Sequence, residues 1–119
     1  MICLLIIAHG SRRAASNDEV RALAAAVRTQ PGQAYAQVET AFLEFAEPSI
    51  PAGLAALAAQ GATEIVAFPY FLAAGTHVAQ DIPAAIAEFS TTHPAVKVRL
   101  TPHLGASAVL PAAILNVAV

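Results

Sequence analysis

Glu64-Ile65-Val66-Ala67-Phe68-Pro69-Tyr70-Phe71-Leu72-Ala73-Ala74-Gly75-Thr76-His77-Val78-Ala79-Gln80-Asp81-Ile82-Pro83 joins the scaffold of this chain to its chemistry. The first five residues read as a buried strand, Pro69 prevents that strand from simply continuing, and the apolar residues of 78–89 fall at helical spacing. The loop between them therefore joins a strand's carboxyl end to a helix, the end at which open α/β sheets bind ligands. It presents His77. Gly75 frees the backbone to take a positive φ or to let a ligand approach closely.

Upstream, residues 2–7 are continuously apolar, as expected of a strand covered on both faces by helices, and they end at His9-Gly10-Ser11. Ser16-Asn17-Asp18-Glu19 has the form of a capping box for a helix whose inner face is Val20, Leu23, Ala24 and Val27, stopped by Gln30-Pro31-Gly32. Residues 35–42 alternate instead, which marks a strand with one wet face. Glu44 and Glu47 lie on its exit. Pro48 suits the first turn of a helix buried through Ile50, Leu54, Leu57 and Ala58, with Gly61 as terminator. Downstream of the quoted stretch, Ile82, Ile86 and Phe89 share a helical face, and Pro83 is tolerable there because it falls in the first turns. Residues 96–100 alternate again, and Val109, Leu110, Ala113, Ile114 and Val117 give a last helix.

Four strands alternating with four helices predict an α/β fold with a parallel sheet and right-handed crossovers, one domain spanning 1–119. If the continuously apolar strands are central and the alternating ones are edges, the order is 2-1-3-4. The topological switch point then falls between the first and third strands. Glu44 and His103 leave the edges on the same rim as His9 and His77.

Composition narrows the function. The chain has 119 residues, a formal charge of -2 and six Lys plus Arg, which argues against nucleic acid or an anionic membrane as partner. Its 57% apolar content exceeds the ~45 to 50% usual for soluble domains, so part of the surplus is expected in a subunit interface. The single cysteine, Cys3, reads as a buried, inert thiol. The opening apolar run is too short to span a bilayer and has no basic leader, which points to a cytoplasmic protein.

Imidazoles bind divalent transition metals and titrate near neutrality, so His9 and His77 facing one another could hold a metal, take protons, or both; two unrelated solvated side chains are the alternative. His93, before Pro94, reads as structural at a helix end, and His103 as peripheral. Arg12 and Arg13 are either a solvated loop or carboxylate ligands beside a helix amino terminus. For Glu44 and Glu47 the helix dipole is favoured over metal assistance. There is no Gly-rich dinucleotide or phosphate loop, no Gly-x-Ser-x-Gly elbow and no zinc ribbon.

Three pieces together resemble the small class II tetrapyrrole chelatases, the sirohydrochlorin cobaltochelatases and ferrochelatases. They are Ile6-Ile7-Ala8-His9-Gly10-Ser11; Ala41-Phe42 with Pro48 beyond; and Pro69-x-Phe71-Leu72-x-x-Gly75-x-His77-Val78-x-x-Asp81-Ile82-Pro83. The resemblance implies a three-layer chelatase-like domain, half of a two-domain unit, that inserts cobalt or iron into sirohydrochlorin without ATP or an organic cofactor. Nickel is a third option. It also implies a homodimer, with His9 and His77 as metal ligands and bases for the pyrrole protons. Ser11, Arg12, Arg13, Tyr70 and Gly75 are the candidate substrate contacts. Tyr70, Phe71 and Leu72 would offer an apolar wall to the flat ring, with ordinary core packing as the alternative, favoured for Phe71. A noncatalytic metal or tetrapyrrole carrier would use the same histidines. A histidine phosphatase is disfavoured because Ala8 stands where those enzymes carry a phosphate-gripping Arg.

Overall fold

The computed structural model describes residues 1–119 apart from the side chain of His77. In chain order the elements are β1 (Ile2–Ala8), α1 (Ala14–Arg28), β2 (Gln37–Phe42), α2 (Ile50–Ala59), β3 (Glu64–Pro69), a π turn (His77–Asp81), α3 (Ile82–Thr92), β4 (Lys97–Leu100), a 3-10 turn (Leu104–Ala106) and α4 (Leu110–Ala118). The sheet is parallel with the order β2-β1-β3-β4, as the contrast between continuous and alternating apolar runs predicts. Ile6 pairs with Thr40 on one side and Phe68 on the other, which fixes β1 as a central strand.

Side chains alternate across β1 with a period of two, so the strand feeds two cores. Cys3, Leu5 and Ile7 point into the larger one with Leu54, Leu57, Ile65, Ile82 and Phe89. Ile6 points into the smaller one with Ala24 and Val38, under α1. The second face is incompletely covered, contrary to the expectation for residues 2–7: Leu4 is half-buried and Ile2 exposed.

The reason lies in α4. Its apolar stripe is real, but Leu110 is only half-buried and residues 111–118 are exposed, with Val109 at 71%, Leu115 at 70% and Val117 at 85%. Between α4 and the sheet runs an apolar groove of about 830 Å³, lined by Leu4, Ile6, Leu23, Val27, Phe68 and Val117 among others. It reaches the carboxyl rim at Tyr70 and Leu104.

Two helix starts differ from expectation. Helix α1 begins at Ala14, with Arg13 in the cap position, so Ser16 and Glu19 lie inside the helix and form no capping box. Helix α2 begins at Ile50 with Ser49 as cap, its hydroxyl accepting from the Ala52 N–H at 3.3 Å. Pro48 therefore precedes the helix, and Pro51 takes the first-turn position instead.

Candidate functional site

Because every strand runs the same way, the exit loops gather on one rim. His9 leaves β1, Glu44 leaves β2, Tyr70 leaves β3 and His103 leaves β4, while the backbone of His77 opens the π turn ahead of α3. The His77 side chain, and with it the expected partnership with His9, lies outside the described residues.

The β1 and β2 exits are held together past the ends of the strands. The Leu43 N–H donates to the Ala8 carbonyl and the Glu44 N–H to the His9 carbonyl, both at 3.0 Å. Gly10, with φ at 91°, makes this approach feasible: a Cβ there would lie 1.7 Å from the Glu44 carbonyl oxygen. The loop closes further on through the Phe42 N–H, which donates to the Pro48 carbonyl at 2.9 Å.

Its consequence is a histidine–carboxylate pair, His9 Nε2 lying 3.1 Å from Glu44 Oε1. His9 Nδ1 is 2.9 Å from the Gly10 carbonyl oxygen, which only accepts, so Nδ1 carries a proton and Nε2 is the nitrogen turned to Glu44. With Nε2 protonated the two groups form an ion pair. Once that proton leaves, an imidazole lone pair and a carboxylate oxygen converge on one point, a mixed donor set that suits borderline divalent ions. Both side chains are partly exposed, at 41% and 49%, so an incoming ion can reach them. Glu44 thus belongs to the rim rather than to a helix dipole. Glu47 is exposed, and its backbone carbonyl accepts from Arg21 at 3.0 Å.

Beside this pair Ser11 is pinned. The buried Asn17 accepts from the Ser11 N–H at 2.9 Å and donates to the Ser11 carbonyl at 2.7 Å, while the Ser11 hydroxyl accepts from the Arg13 N–H at 3.0 Å. Arg12 and Arg13 are exposed at the start of α1, and the Arg12 guanidinium lies 4.9 Å from the centre of the Phe45 ring. Phe45 has φ at 66°, a left-handed backbone that costs a non-glycine residue about 1 to 3 kcal/mol. The residue is 51% exposed, and its ring stands 6.4 Å from the His9 ring.

On the β3 side Tyr70 and Leu72 are exposed, Leu72 at 71%. Phe71 packs against the main core, the alternative favoured for it. These three and Leu104 line a pocket of about 250 Å³. Gly75 does not take a positive φ and has open space around it. His103 is half-buried at the 3-10 turn. His93 stacks on Phe89 at 4.3 Å and 11°, the structural role expected of it.

Sequence reasoning missed Asn17 and Phe45. A signal existed for each. Asn is a poor residue inside a helix unless its side chain works elsewhere, and Phe45 stands in an acidic turn, Glu44-Phe45-Ala46-Glu47-Pro48, with no periodic pattern to bury it.

Residues 3–118 match the sequence model of the family CbiX. Among curated proteins, the chain is 34% identical over 93 residues to the sirohydrochlorin cobaltochelatase of Methanocaldococcus jannaschii, covering 78% of this chain and 64% of that protein. It is 34% identical over 102 residues to the chloroplastic sirohydrochlorin ferrochelatase of Arabidopsis thaliana, covering 86% and 44%. The chain thus spans only 64% and 44% of the lengths of these two relatives. Among solved structures, the sirohydrochlorin chelatase SirB of Bacillus subtilis in complex with cobalt superposes with a TM-score of 0.86 at 28% identity, over 97% of this chain and 48% of that one.

Proposed function

The chain belongs to the CbiX family, and from that premise we propose that it inserts a divalent metal, cobalt or iron, into sirohydrochlorin without ATP. The observation that carries this reading is the His9–Glu44 pair on the carboxyl rim, where His9 leaves β1, a strand bordering the switch point, and Glu44 leaves the neighbouring β2. Metallation needs an ion that has shed water and a macrocycle that loses two inner N–H protons. A neutral imidazole and a carboxylate hold such an ion without enclosing it, so a tetradentate ring can take it from them. His77, which leaves the other central strand, shares the ion and removes a pyrrole proton as the ion enters the ring. Arg12, Arg13 and the amino terminus of α1 meet the substrate's carboxylates, and Tyr70 and Leu72 meet its flat face. Nickel is compatible with the same donors.

The test is anaerobic incubation with sirohydrochlorin and Co²⁺, Fe²⁺ or Ni²⁺ in turn, without ATP, followed by the spectrum of the metallated product. Acceleration over the enzyme-free background with cobalt or iron is expected. Hydrolysis of a phosphate ester with no metallation would replace this reading with the phosphatase one.

The same reading includes a homodimer and a cytoplasmic location, although the plant relative is named as chloroplastic. Among the described residues, no helix is long and apolar enough to cross a membrane. For the dimer, the support is the uncovered stripe of α4 beside the groove on the sheet. Burying a Val, Leu or Ile side chain removes roughly 60 to 120 Å² from water. Val109, Ile114, Leu115 and Val117 on two copies, met by matching groove surface, reach the ~1,000 Å² of a biological contact. Sedimentation is expected to show a dimer that Leu115→Glu with Val117→Glu dissociates. A stable, active wild-type monomer would refute the pairing.

A further inference from the structure

We propose that Phe45 is the platform on which the flat face of the macrocycle stacks, and that Arg12 beside it takes one of the ring's peripheral carboxylates; this rests on the tetrapyrrole reading above. Three observations converge on this residue. The backbone at Phe45 is left-handed, a conformation that Gly, Asn or Asp occupy with less strain, and such outliers cluster at ligand clamps. The residue is half exposed, so burial in this chain does not compensate for that strain. The turn is also rigidly placed: the hydrogen bonds of Leu43 and Glu44 to the β1 exit and of Phe42 to Pro48 hold it from both sides, and Gly10 lets it sit flush.

Position gives the ring its use. The Arg12 guanidinium lies over one face of the ring, 4.9 Å from its centroid, and the His9 ring stands 6.4 Å away, tilted by 51°. Offset aromatic pairs have centroids roughly 4.5 to 7 Å apart. A macrocycle taking the place of Arg12 on Phe45 would push the guanidinium to its own edge, where a peripheral carboxylate can meet it, and would lie beside the His9–Glu44 pair. A planar, polycarboxylated aromatic ligand is the chemistry that uses both neighbours, whereas a metal ion alone uses neither the ring nor Arg12.

Metal-free sirohydrochlorin titrated into wild type, F45A, F45G and F45Y tests this, with Co²⁺ binding in the absence of tetrapyrrole and thermal melting as companion readouts. F45A is expected to weaken tetrapyrrole binding roughly tenfold, the scale of a lost aromatic contact, while F45Y stays within about twofold and Co²⁺ affinity is unchanged. F45G is expected to bind as weakly as F45A yet to melt no lower than F45A, because glycine accepts the left-handed backbone. Tetrapyrrole binding by F45A and F45G at wild-type strength would overturn the assignment. So would binding losses that follow the melting temperatures across the series, since that pattern marks a structural residue. If wild type itself fails to bind sirohydrochlorin, the tetrapyrrole reading falls and this one with it; wild-type binding with unchanged variants removes only this one.

Discussion

His9→Ala and His77→Ala are each expected to lower the initial rate of metal insertion by ~10² to 10⁴, the usual loss when a positioned general base is removed. For His9 the structure supplies the reason. Its Nε2 is the nitrogen directed at Glu44, so alanine removes one of the two donors that converge there and leaves the ion to Glu44 and the proposed His77. The fold is expected to be nearly indifferent, because an ion pair this exposed contributes only about 0 to 1 kcal/mol. Co²⁺ binding, metallation rate and thermal unfolding measured on His9→Ala, His77→Ala and a His93→Ala control separate chemistry from stability. His93 stacks on Phe89 at the end of α3, away from the rim, and its variant is expected to keep the wild-type rate. A His77→Ala protein that folds normally and metallates within a few-fold of wild type would show that His77 has no such role.

Gly10→Ala is expected to be the most damaging small substitution on the rim. It combines a positive φ with a Cβ placed 1.7 Å from the Glu44 carbonyl oxygen, so the β2 exit must be displaced. Strain and overpacking together cost roughly 2 to 5 kcal/mol. The displaced segment carries both Glu44 and Phe45, so metal binding and tetrapyrrole binding should decline together. Gly32→Ala is the natural comparison, since Gly32 also has a positive φ, at 82°, but nothing within 4 Å of the added Cβ. Urea unfolding of the two variants should show the larger loss for Gly10→Ala; equal losses would mean that the β2 exit yields easily and does not hold the rim in place.

The sheet order could be read from the chain because it follows from solvent exposure. Residues 2–7 and 64–68 lack the alternation expected of a strand wetted along one face and so read as central, although the second face of β1 is only partly covered. The rim positions followed from that order. Helix starts were harder, because a Ser-x-x-Glu spacing occurs without capping anything. Here the Ser11–Arg13 turn and Asn17 organise the entry to α1, whose cap, Arg13, stands three residues before the expected one, Ser16. Glu44 was misjudged for a related reason: its partner, His9, is brought to it by a long-range close approach at Gly10 that sequence spacing does not record. The last helix shows the reverse case. Its apolar stripe was legible, whereas what covers it depends on a second surface that one chain's sequence does not specify.

The central claim is catalysis of metal insertion, and counting turnovers tests it most directly. With enzyme limiting and sirohydrochlorin and Co²⁺ in excess, under anaerobic conditions and without ATP, cobalt-sirohydrochlorin should accumulate well past one equivalent per chain at a rate proportional to enzyme and above the enzyme-free background. Product that stops at one equivalent, or forms no faster than without protein although metal and tetrapyrrole both bind, would contradict the chelatase account and identify a carrier.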